Sequence, residues 1–324
     1  MPDTLATVLI TFDEDRDPNI EDVHSFLEAL PRSAPNLTLV VVEDVGRRHD
    51  TKTLEPMYAS ASSIHLPNIG LEGLWKLSSC GRVEKVEVKE FTAGALFVLP
   101  HASHAEPFRQ LKKLIIDSVP CEAAHDVLRL VSSAELVELR LHLYLGVDDR
   151  LTGIIGDAGA LRPGALKHLS LTGYAWEGTS WLVSVDDFLS LNKFTTLESL
   201  VLTTGADVDW LELDVLRQVL PCMPQLESFY VNESGRRSTV CDMSFLVAVN
   251  AMAPSLIHCG LGLEPGSTWA GDGRRSRLQV LDVGLSPLAT DPTETAKQLL
   301  VAFPRLRELS HDYDMSMLRG DGTY

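Results

Sequence analysis

The sequence has few cysteines, and their spacing excludes several classes of protein. Its five cysteines are an odd number, and no two of them form a C-x-x-C pair: Cys80, Cys121, Cys222, Cys241 and Cys259. A disulfide framework needs paired cysteines, and a structural zinc site needs closely spaced ones. The cysteines therefore indicate free thiols, and we expect an intracellular protein of the cytoplasm or the nucleus.

Basic residues are scarce relative to acidic ones, and long apolar runs are missing. The chain has 28 Lys and Arg against 45 Asp and Glu, a formal net charge of −17. A field of that sign repels a phosphate backbone, so nucleic acid is not expected as a partner. No apolar run is long enough to cross a bilayer, and the first residues lack the basic start of a signal peptide. We therefore expect no membrane partner, and a monomer in isolation.

Motifs for catalysis, cofactors and metals are missing as well. The segment Gly153–Gly159 is glycine-rich but has neither a phosphate-loop Lys-Ser/Thr nor dinucleotide spacing, so it predicts an enlarged connection. The run Asp13–Asp17 starts like a calcium loop, yet Pro18 replaces the required glycine. His101 and His104 have no Cys or carboxylate at metal-ligand spacing apart from Glu106, so they predict loop histidines. The sequence therefore predicts a non-catalytic protein without cofactor or metal.

In place of such motifs, one short apolar pattern recurs along the whole chain. The pattern is Leu-x-x-Leu-x-Leu with conservative replacements, and it returns every 22 to 32 residues. A period of that size predicts a repeat solenoid, and the apolar alternation within each copy predicts a half-buried strand. The first leucine position of the copies falls at Leu5, Leu37, Ala61, Val83, Leu111, Leu136, Leu166, Leu197, Leu226, Leu256, Leu278 and Leu306.

Helical patterns fill the intervals between the copies. Apolar residues recur at helical spacing in two clear stripes, Cys121, Ala124, Leu128 and Val131, and Ala296, Leu299, Leu300 and Phe303. Prolines such as Pro221, Pro254 and Pro304 precede the next strand and end the helix. We therefore predict an α/β fold in a single domain over residues 1–324. It is a curved solenoid of about twelve repeats, with parallel strands on its concave face and helices on its convex face.

These repeats resemble the leucine-rich-repeat family, in the ribonuclease-inhibitor-like variety that has a helix in each unit. Their irregular turns and the prolines before the strands resemble the repeat domains of fungal F-box proteins. That resemblance implies the substrate-recognition part of an F-box-like ubiquitin ligase. No F-box module precedes the first repeat at Leu5, so we expect either a fragment or a repeat protein without that module. The alternative is a regulator that wraps one enzyme, as ribonuclease inhibitors and some GTPase activators do.

Candidate binding residues lie at the third, fifth and seventh positions of the motif, which point away from the core onto the concave face. A protein partner is expected there. The middle of this face leans basic, and one hypothesis is that it receives an acidic or phosphorylated segment. The alternative is that Glu87, Asp117 and Glu138 cancel the basic charge. The candidates are His65, Lys85, Glu87, Lys89, Lys113, Arg140, His142, His168, Tyr230, Asn232, Asp282 and Asp312.

A second candidate surface is the edge formed by the loops that leave the strands. Trp176, Trp210 and Trp269 each lie a few residues past a strand. Exposed tryptophans are frequent centres of binding energy in protein interfaces. The alternative is that each ring folds back over the end of its own repeat.

Overall fold

The computed structural model describes about three fifths of the chain and divides it into two compact units. Unit 1 comprises Met1–Tyr144 and Ala160–Leu166, and unit 2 comprises Leu145–Gly159 and Lys167–Tyr324. The single domain over residues 1–324 therefore stays a prediction. The described residues are 6–12, 25–26, 29–30, 34, 37–44, 61–92, 107–131, 135–144, 153–158, 161, 164–174, 184–203, 212–231, 241–263, 276–283 and 292–310.

One strand forms at each copy of the pattern, and the described strands are parallel and follow the order of the chain. The strands are β1 Thr7–Phe12, β2 Leu39–Asp44, β3 Ser63–Gly70, β4 Lys85–Thr92, β5 Lys113–Pro120, β6 Glu138–Tyr144, β7 His168–Tyr174, β8 Ser199–Thr203, β9 Ser228–Val231, β10 His258–Gly260, β11 Val280–Asp282 and β12 Glu308–Ser310. The described α-helices are α1 Leu71–Ser78, α2 Cys121–Val131, α3 Ile154–Ala158, α4 Val185–Leu189, α5 Leu213–Val219, α6 Met243–Met252 and α7 Pro292–Ala302. Strands alternating with helices confirm the predicted leucine-rich-repeat α/β fold.

The apolar positions of the pattern form the core of each unit, as predicted. From the copy at Leu37 to the copy at Leu278, the first, fourth and sixth positions are at most 8% exposed. Each such burial contributes roughly 1.5–3 kcal/mol relative to an exposed side chain. Leu309 occupies the fourth position of the last strand and is 50% exposed. Its neighbours on β11 cover it from one side, and no described strand lies beyond β12.

Backbone hydrogen bonds between consecutive copies fix the register of the strands. The carbonyl oxygen at the second position of one copy accepts hydrogen bonds from two amide N–H groups of the next copy. In unit 1, Glu84 O accepts from Lys112 N at 2.8 Å and from Lys113 N at 3.0 Å. In unit 2, Glu227 O accepts from the amides of residues 257 and 258 at 2.8 and 2.9 Å. This repeated bond aligns equal motif positions on neighbouring strands, so that each position forms a straight column.

A buried residue three positions before the first leucine is a repeat feature that the sequence analysis missed. Leu197 N donates to Phe194 O at 3.2 Å, and Leu226 N donates to Met223 O at 3.0 Å. Both Phe194 and Met223 are fully buried. The bond closes a tight turn into the strand, and in the turn that starts at Met223 the second residue is Pro224, whose ring presets the backbone angle. Pro221, which was predicted to mark such a turn, instead lies in a short 3₁₀ helix, Leu220–Cys222.

The helical stripes were predicted well for α2 and less well for α7. Every member of the α2 stripe is buried, from Cys121 to Val131. In α7, Leu299 and Phe303 are buried, but Leu300 is 54% exposed and Ala296 is exposed. The buried face of α7 runs through Leu299, Ala302 and Phe303, which are the i, i+3 and i+4 neighbours of one helical face. The stripe on α7 is therefore rotated from the predicted one.

The described part of the glycine-rich segment, which was predicted to be an enlarged connection, contains the short helix α3. The carboxylate of Asp187 lies at the start of this helix. Gly153 has a φ of 93°, which favours glycine. Its N–H donates to Asp187 Oδ2 at 3.2 Å, and Ser184 Oγ donates to the same oxygen at 2.7 Å. A Cβ at Gly156 would lie 2.9 Å from Asp187 Oδ1. The two glycines therefore allow the Asp187 carboxylate to approach the backbone.

Replacing a core residue and its open neighbour on the same strand tests this arrangement. Leu200 is fully buried and Val201, the next residue, is half-buried. We expect Leu200→Ala to lower the free energy of unfolding by about 2–5 kcal/mol, because it leaves a cavity. Val201→Ala should cost about 1 kcal/mol or less. Urea unfolding followed by circular dichroism measures both, and equal losses would contradict the assigned faces.

Candidate protein-binding face

The third, fifth and seventh positions of β3 to β6 form one surface, which we call the open face of unit 1. Burial alternates over the first four residues of each of these strands, for example half-buried, buried, half-buried, buried from Lys85 to Val88. The side-chain period of two places the remaining positions on this face. Its members are Ser63, His65 and Pro67 on β3, Lys85, Glu87 and Lys89 on β4, Lys113, Ile115 and Asp117 on β5, and Glu138, Arg140 and His142 on β6.

Ion pairs join the charged side chains of this face across neighbouring strands. Glu87 lies at the centre of the first group. Its Oε2 is 2.7 Å from His65 Nδ1, and its Oε1 is 2.9 Å from Lys85 Nζ and 4.0 Å from Lys113 Nζ. Opposite charges on adjacent positions stabilise a sheet by a few tenths of a kcal/mol to about 1 kcal/mol per pair.

Glu138 lies at the centre of the second group and is the most buried carboxylate of the face. Its side chain is 14% exposed, with Lys113 Nζ 2.9 Å from Oε2 and Arg140 Nε 2.7 Å from Oε1. Oε1 accepts no aligned hydrogen bond from the described residues, so the contact with Arg140 is electrostatic. Arg140 itself remains 58% exposed. The carboxylates thus lie beneath the cations, as seen from solvent.

The strand register places two lysines opposite each other, and the carboxylates of Glu87 and Glu138 offset their repulsion. Lys85 and Lys113 are direct partners on β4 and β5, and like charges directly opposite each other destabilise a sheet. Glu138 is the direct partner of Lys113 on the next strand, and Glu87 lies two residues along the strand from Lys85. The two carboxylates therefore offset the repulsion between the lysines. The contacts of Glu87 and Glu138 therefore cancel much of the positive charge of this face, which is the alternative that the sequence analysis left open.

The same contacts shift the pKa values of the titrating groups. Burial lowers the pKa of His65 below its ordinary value of 6.5, Glu87 opposes this, and Lys85 and Lys113 add to it. Burial alone would raise the pKa of Glu87, but the hydrogen bond from Lys85 and the neighbouring positive charges bring it below its ordinary value. Burial also lowers the pKa of His142, against the opposing charge of Asp117. His65 and His142 are therefore mainly neutral near pH 7.

Ser63, His65 and Glu87 lie in the order hydroxyl, imidazole, carboxylate, which the sequence analysis did not find. Ser63 Oγ is 3.4 Å from His65 Nε2, at the outer limit of a hydrogen bond. Acyl transfer also needs N–H donors aimed at the developing oxyanion. The backbone of β3 and β4 around these residues is engaged in the strand ladder. The arrangement therefore fixes the imidazole ring and gives no basis for a catalytic assignment.

The predicted site residues of unit 2 lie on a less charged face. His168, Tyr230 and Asp282 occupy open positions and are half-buried. The ring of Tyr230 leans over Gly260 on the next strand, where an added Cβ would lie 2.2 Å from Tyr230 Cδ1. Gly260 thus provides the space that the tyrosine ring occupies.

Several predicted residues and motifs lie outside the described residues. They are Asn232, Asp312, Trp176, Trp210, Trp269, His101, His104 and the run Asp13–Asp17. Within the described residues, no three His, Cys, Asp or Glu side chains are grouped so that they could hold a metal ion. No helix in that part of the chain is long and apolar enough to cross a membrane.

The charge arrangement predicts opposite effects of two substitutions on the pKa of His65. Glu87→Gln should lower it further, because the carboxylate favours the imidazolium form. Lys85→Met should raise it, because the ammonium disfavours that form. NMR titration of the imidazole resonances measures both. Shifts of the same sign in the two variants would contradict the contacts.

The histidine also predicts how stability depends on pH. The pKa of His65 is lower in the folded protein than its ordinary value of 6.5, so the unfolded chain takes up this proton first on acidification. Its contribution to stability is therefore complete above pH 6.5 and is lost as the pH falls toward the folded-state pKa. His65→Gln should flatten this part of the unfolding free energy profile measured in urea. An unchanged slope between pH 7 and 5.5 would contradict the prediction.

Gly260 and Tyr230 predict a non-additive pair of substitutions. Gly260→Ala places a methyl group against the tyrosine ring and should cost about 1–3 kcal/mol of stability. In the Tyr230→Ala background the same change should cost less, because the ring is absent. Urea unfolding of the four proteins measures the coupling. Equal costs in both backgrounds would show that the ring does not occupy the space above Gly260.

Comparison with solved structures supports the fold. No protein-family model matches the chain, and no curated protein matches it. Among solved structures, the crystal structure of an internalin from Listeria monocytogenes is similar, with a TM-score of 0.50 and 13% sequence identity. The similarity covers 98% of this chain and 84% of that chain. At this identity the likeness shows the fold alone, and that fold is a leucine-rich-repeat array.

Proposed function

We propose that this protein recognises another protein through the open face of unit 1, as the substrate-recognition part of an F-box-like ubiquitin ligase. The observation that carries the proposal is the row of cations on this face, Lys85, Lys113 and Arg140, held in place by two carboxylates beneath them. Charged side chains that are fixed before binding lose less conformational entropy when a partner arrives. A fixed array of this kind suits recognition of a particular protein surface.

The open face combines charge with exposed contact area, as a protein interface requires. Interfaces place charged and polar groups so that they complement the partner, which governs specificity and association rate. Ile115 lies between Glu87 and Arg140 in the same column and contributes an apolar contact. The ubiquitin-ligase role itself rests on the resemblance of the repeats to those of F-box proteins.

An intracellular location is part of the proposal. The five cysteines are free thiols, and Cys121, Cys241 and Cys259 are buried. Burial raises the pKa of the Cys241 thiol to about 12, which keeps it protonated and unreactive. Free thiols of this kind are typical of proteins in a reducing compartment.

The test is to identify the partner and then to remove the positive charges of Lys85, Lys113 and Arg140, which we call the charge row. Affinity purification of the full-length gene product with mass spectrometry supplies the partner. Changing Lys85, Lys113 and Arg140 together to glutamate should weaken its capture at least tenfold. Recovery of a ubiquitin-ligase adaptor supports the ligase role, whereas a stable complex with one enzyme supports the alternative of an enzyme regulator.

Two control proteins separate binding from folding and from net charge. The same three positions changed to glutamine remove the charge row without adding negative charge next to Glu87 and Glu138. A second control changes the helix residues Arg129, Arg217 and Lys297 to glutamate, which alters net charge equally on exposed positions elsewhere. We expect the glutamine variant to lose capture and the helix variant to retain it. Unchanged capture by the glutamine variant would contradict the proposed face.

A further inference from the structure

The open face continues from β3 onto β1 and β2, where its fifth column becomes apolar at Leu9 and Val41, while Thr7 and Thr11 on β1 are exposed and polar. Leu9 on β1 is 60% exposed, although leucine is normally buried. Val41 is its direct partner on β2, and Leu39 occupies the third position of the same strand. Both are half-buried. Leu9, Leu39 and Val41 therefore form one apolar patch, which we call the apolar end of the open face.

The opposite end of the face presents positive charge to solvent. Arg140 is 58% exposed and Lys89 is exposed, whereas the side chains of Glu87 and Glu138 are 26% and 14% exposed. Asp117 is the exposed carboxylate among them. The carboxylates that neutralise this end lie mostly beneath the cations. An approaching group therefore meets cations before it meets Glu87 or Glu138.

The strand register fixes the separation of the two ends. Val41, His65, Glu87, Ile115 and Arg140 are successive partners along the fifth column. Four strand intervals of about 4.8 Å separate the apolar end from Arg140, a span of about 19 Å. Both ends lie in unit 1.

We propose that the partner docks on this face through two points, an apolar side chain at Leu9 and Val41 and a carboxylate at Arg140. This inference rests on the proposed function and names the chemistry of the partner. Arginine donates parallel hydrogen bonds to a carboxylate, and its fixed fork makes that recognition directional. The Glu138 carboxylate lies 2.7 Å from Arg140 Nε, and its charge attracts the guanidinium to this position of the face.

The charge balance favours an aspartate or glutamate side chain over a phosphate group. The face carries four cations, Lys85, Lys89, Lys113 and Arg140, against three carboxylates, Glu87, Asp117 and Glu138. With both histidines neutral, one positive charge is in excess. A single carboxylate balances it, whereas a phosphate group carries close to two negative charges at pH 7. The partner segment is therefore acidic and unmodified.

A displayed library of random peptides tests the two-point docking before the natural partner is identified. Peptides of about sixteen residues reach the span of about 19 Å even when partly folded. We expect the full chain to select peptides that carry Asp or Glu together with a large apolar residue at a restricted separation. Synthetic copies of these peptides then serve as probes for measurements of affinity.

Variants of each end give separate outcomes. Arg140→Gln should weaken binding of the probes about tenfold, and Leu9→Asp should weaken it about fivefold, with thermal unfolding checked by circular dichroism. Arg140→Glu should restore binding of a probe whose acidic residue is changed to lysine. Arg129→Gln on α2 is the matched control and should leave affinity unchanged. A phosphoserine in place of the acidic residue should not bind more tightly.

The results that overturn this inference differ from those that overturn the proposed function. Selected peptides that bind through the open face but carry no acidic residue, or that bind more tightly with phosphoserine, contradict the two-point docking alone. Peptides whose binding is insensitive to Arg140, Leu9 and the charge row contradict both. A library that yields no binder contradicts the two-point docking alone, because that docking requires only a short segment, whereas the proposed function is tested by capture of the natural partner.

Discussion

The register between neighbouring strands is the constraint on which the rest of the molecule depends. Side chains alternate between the two faces of a strand, so a slip of one residue would expose the leucines and bury the charges. The second-position carbonyl, which accepts two amides from the next repeat, holds the strands against such a slip. The buried apolar positions act in the same direction, because only one register buries all of them. The buried core and the open face therefore both depend on the same register between neighbouring strands.

That alignment also accounts for the chemistry of the open face. It places Lys85 opposite Lys113, an arrangement that would be unfavourable without a nearby negative charge. Glu138 and Glu87 supply that charge from the neighbouring positions. The cations remain on the outside, where a partner can reach them. On a surface that is almost neutral in sum, Arg140 is therefore more exposed than the carboxylates of Glu87 and Glu138.

The sequence was sufficient for the strands, the core and the columns of the open face. These depend on a period of two within the strand and on the repeat length, and both can be read from residue types alone. The pairing of Glu138 with Lys113 and Arg140 depends on the side-chain conformations and could not be read in this way. The buried position occupied by Phe194 and Met223 could have been found in the sequence, because Phe108 and Phe303 also precede the first leucine position of their copies by three residues. The rotated stripe of α7 was not visible, since Leu300 fits helical spacing as well as Ala302 does.

The residues on the exposed face of the strands, rather than the fold itself, are the guide to function, since one fold serves many functions. In unit 1 the apolar end at Leu9 and the charged end at Arg140 belong to the same surface, and their separation is set by the strands. Among the described residues of unit 2, the corresponding strand positions are mostly small and polar. Tyr230, whose ring lies over Gly260, is the largest side chain among them. The charge distribution therefore favours unit 1 as the surface that distinguishes one partner from another.

Cysteine accessibility along β5 tests the alternation of faces most directly. Single cysteines are introduced at residues 113 to 117 in a background in which the half-buried Cys80 and Cys222 are replaced by serine. A maleimide should react quickly at positions 113, 115 and 117, and at least about tenfold more slowly at 114 and 116, where Leu114 and Ile116 are fully buried. Similar rates at all five positions, or fast labelling at 114 and 116, would contradict the register and the open face built on it.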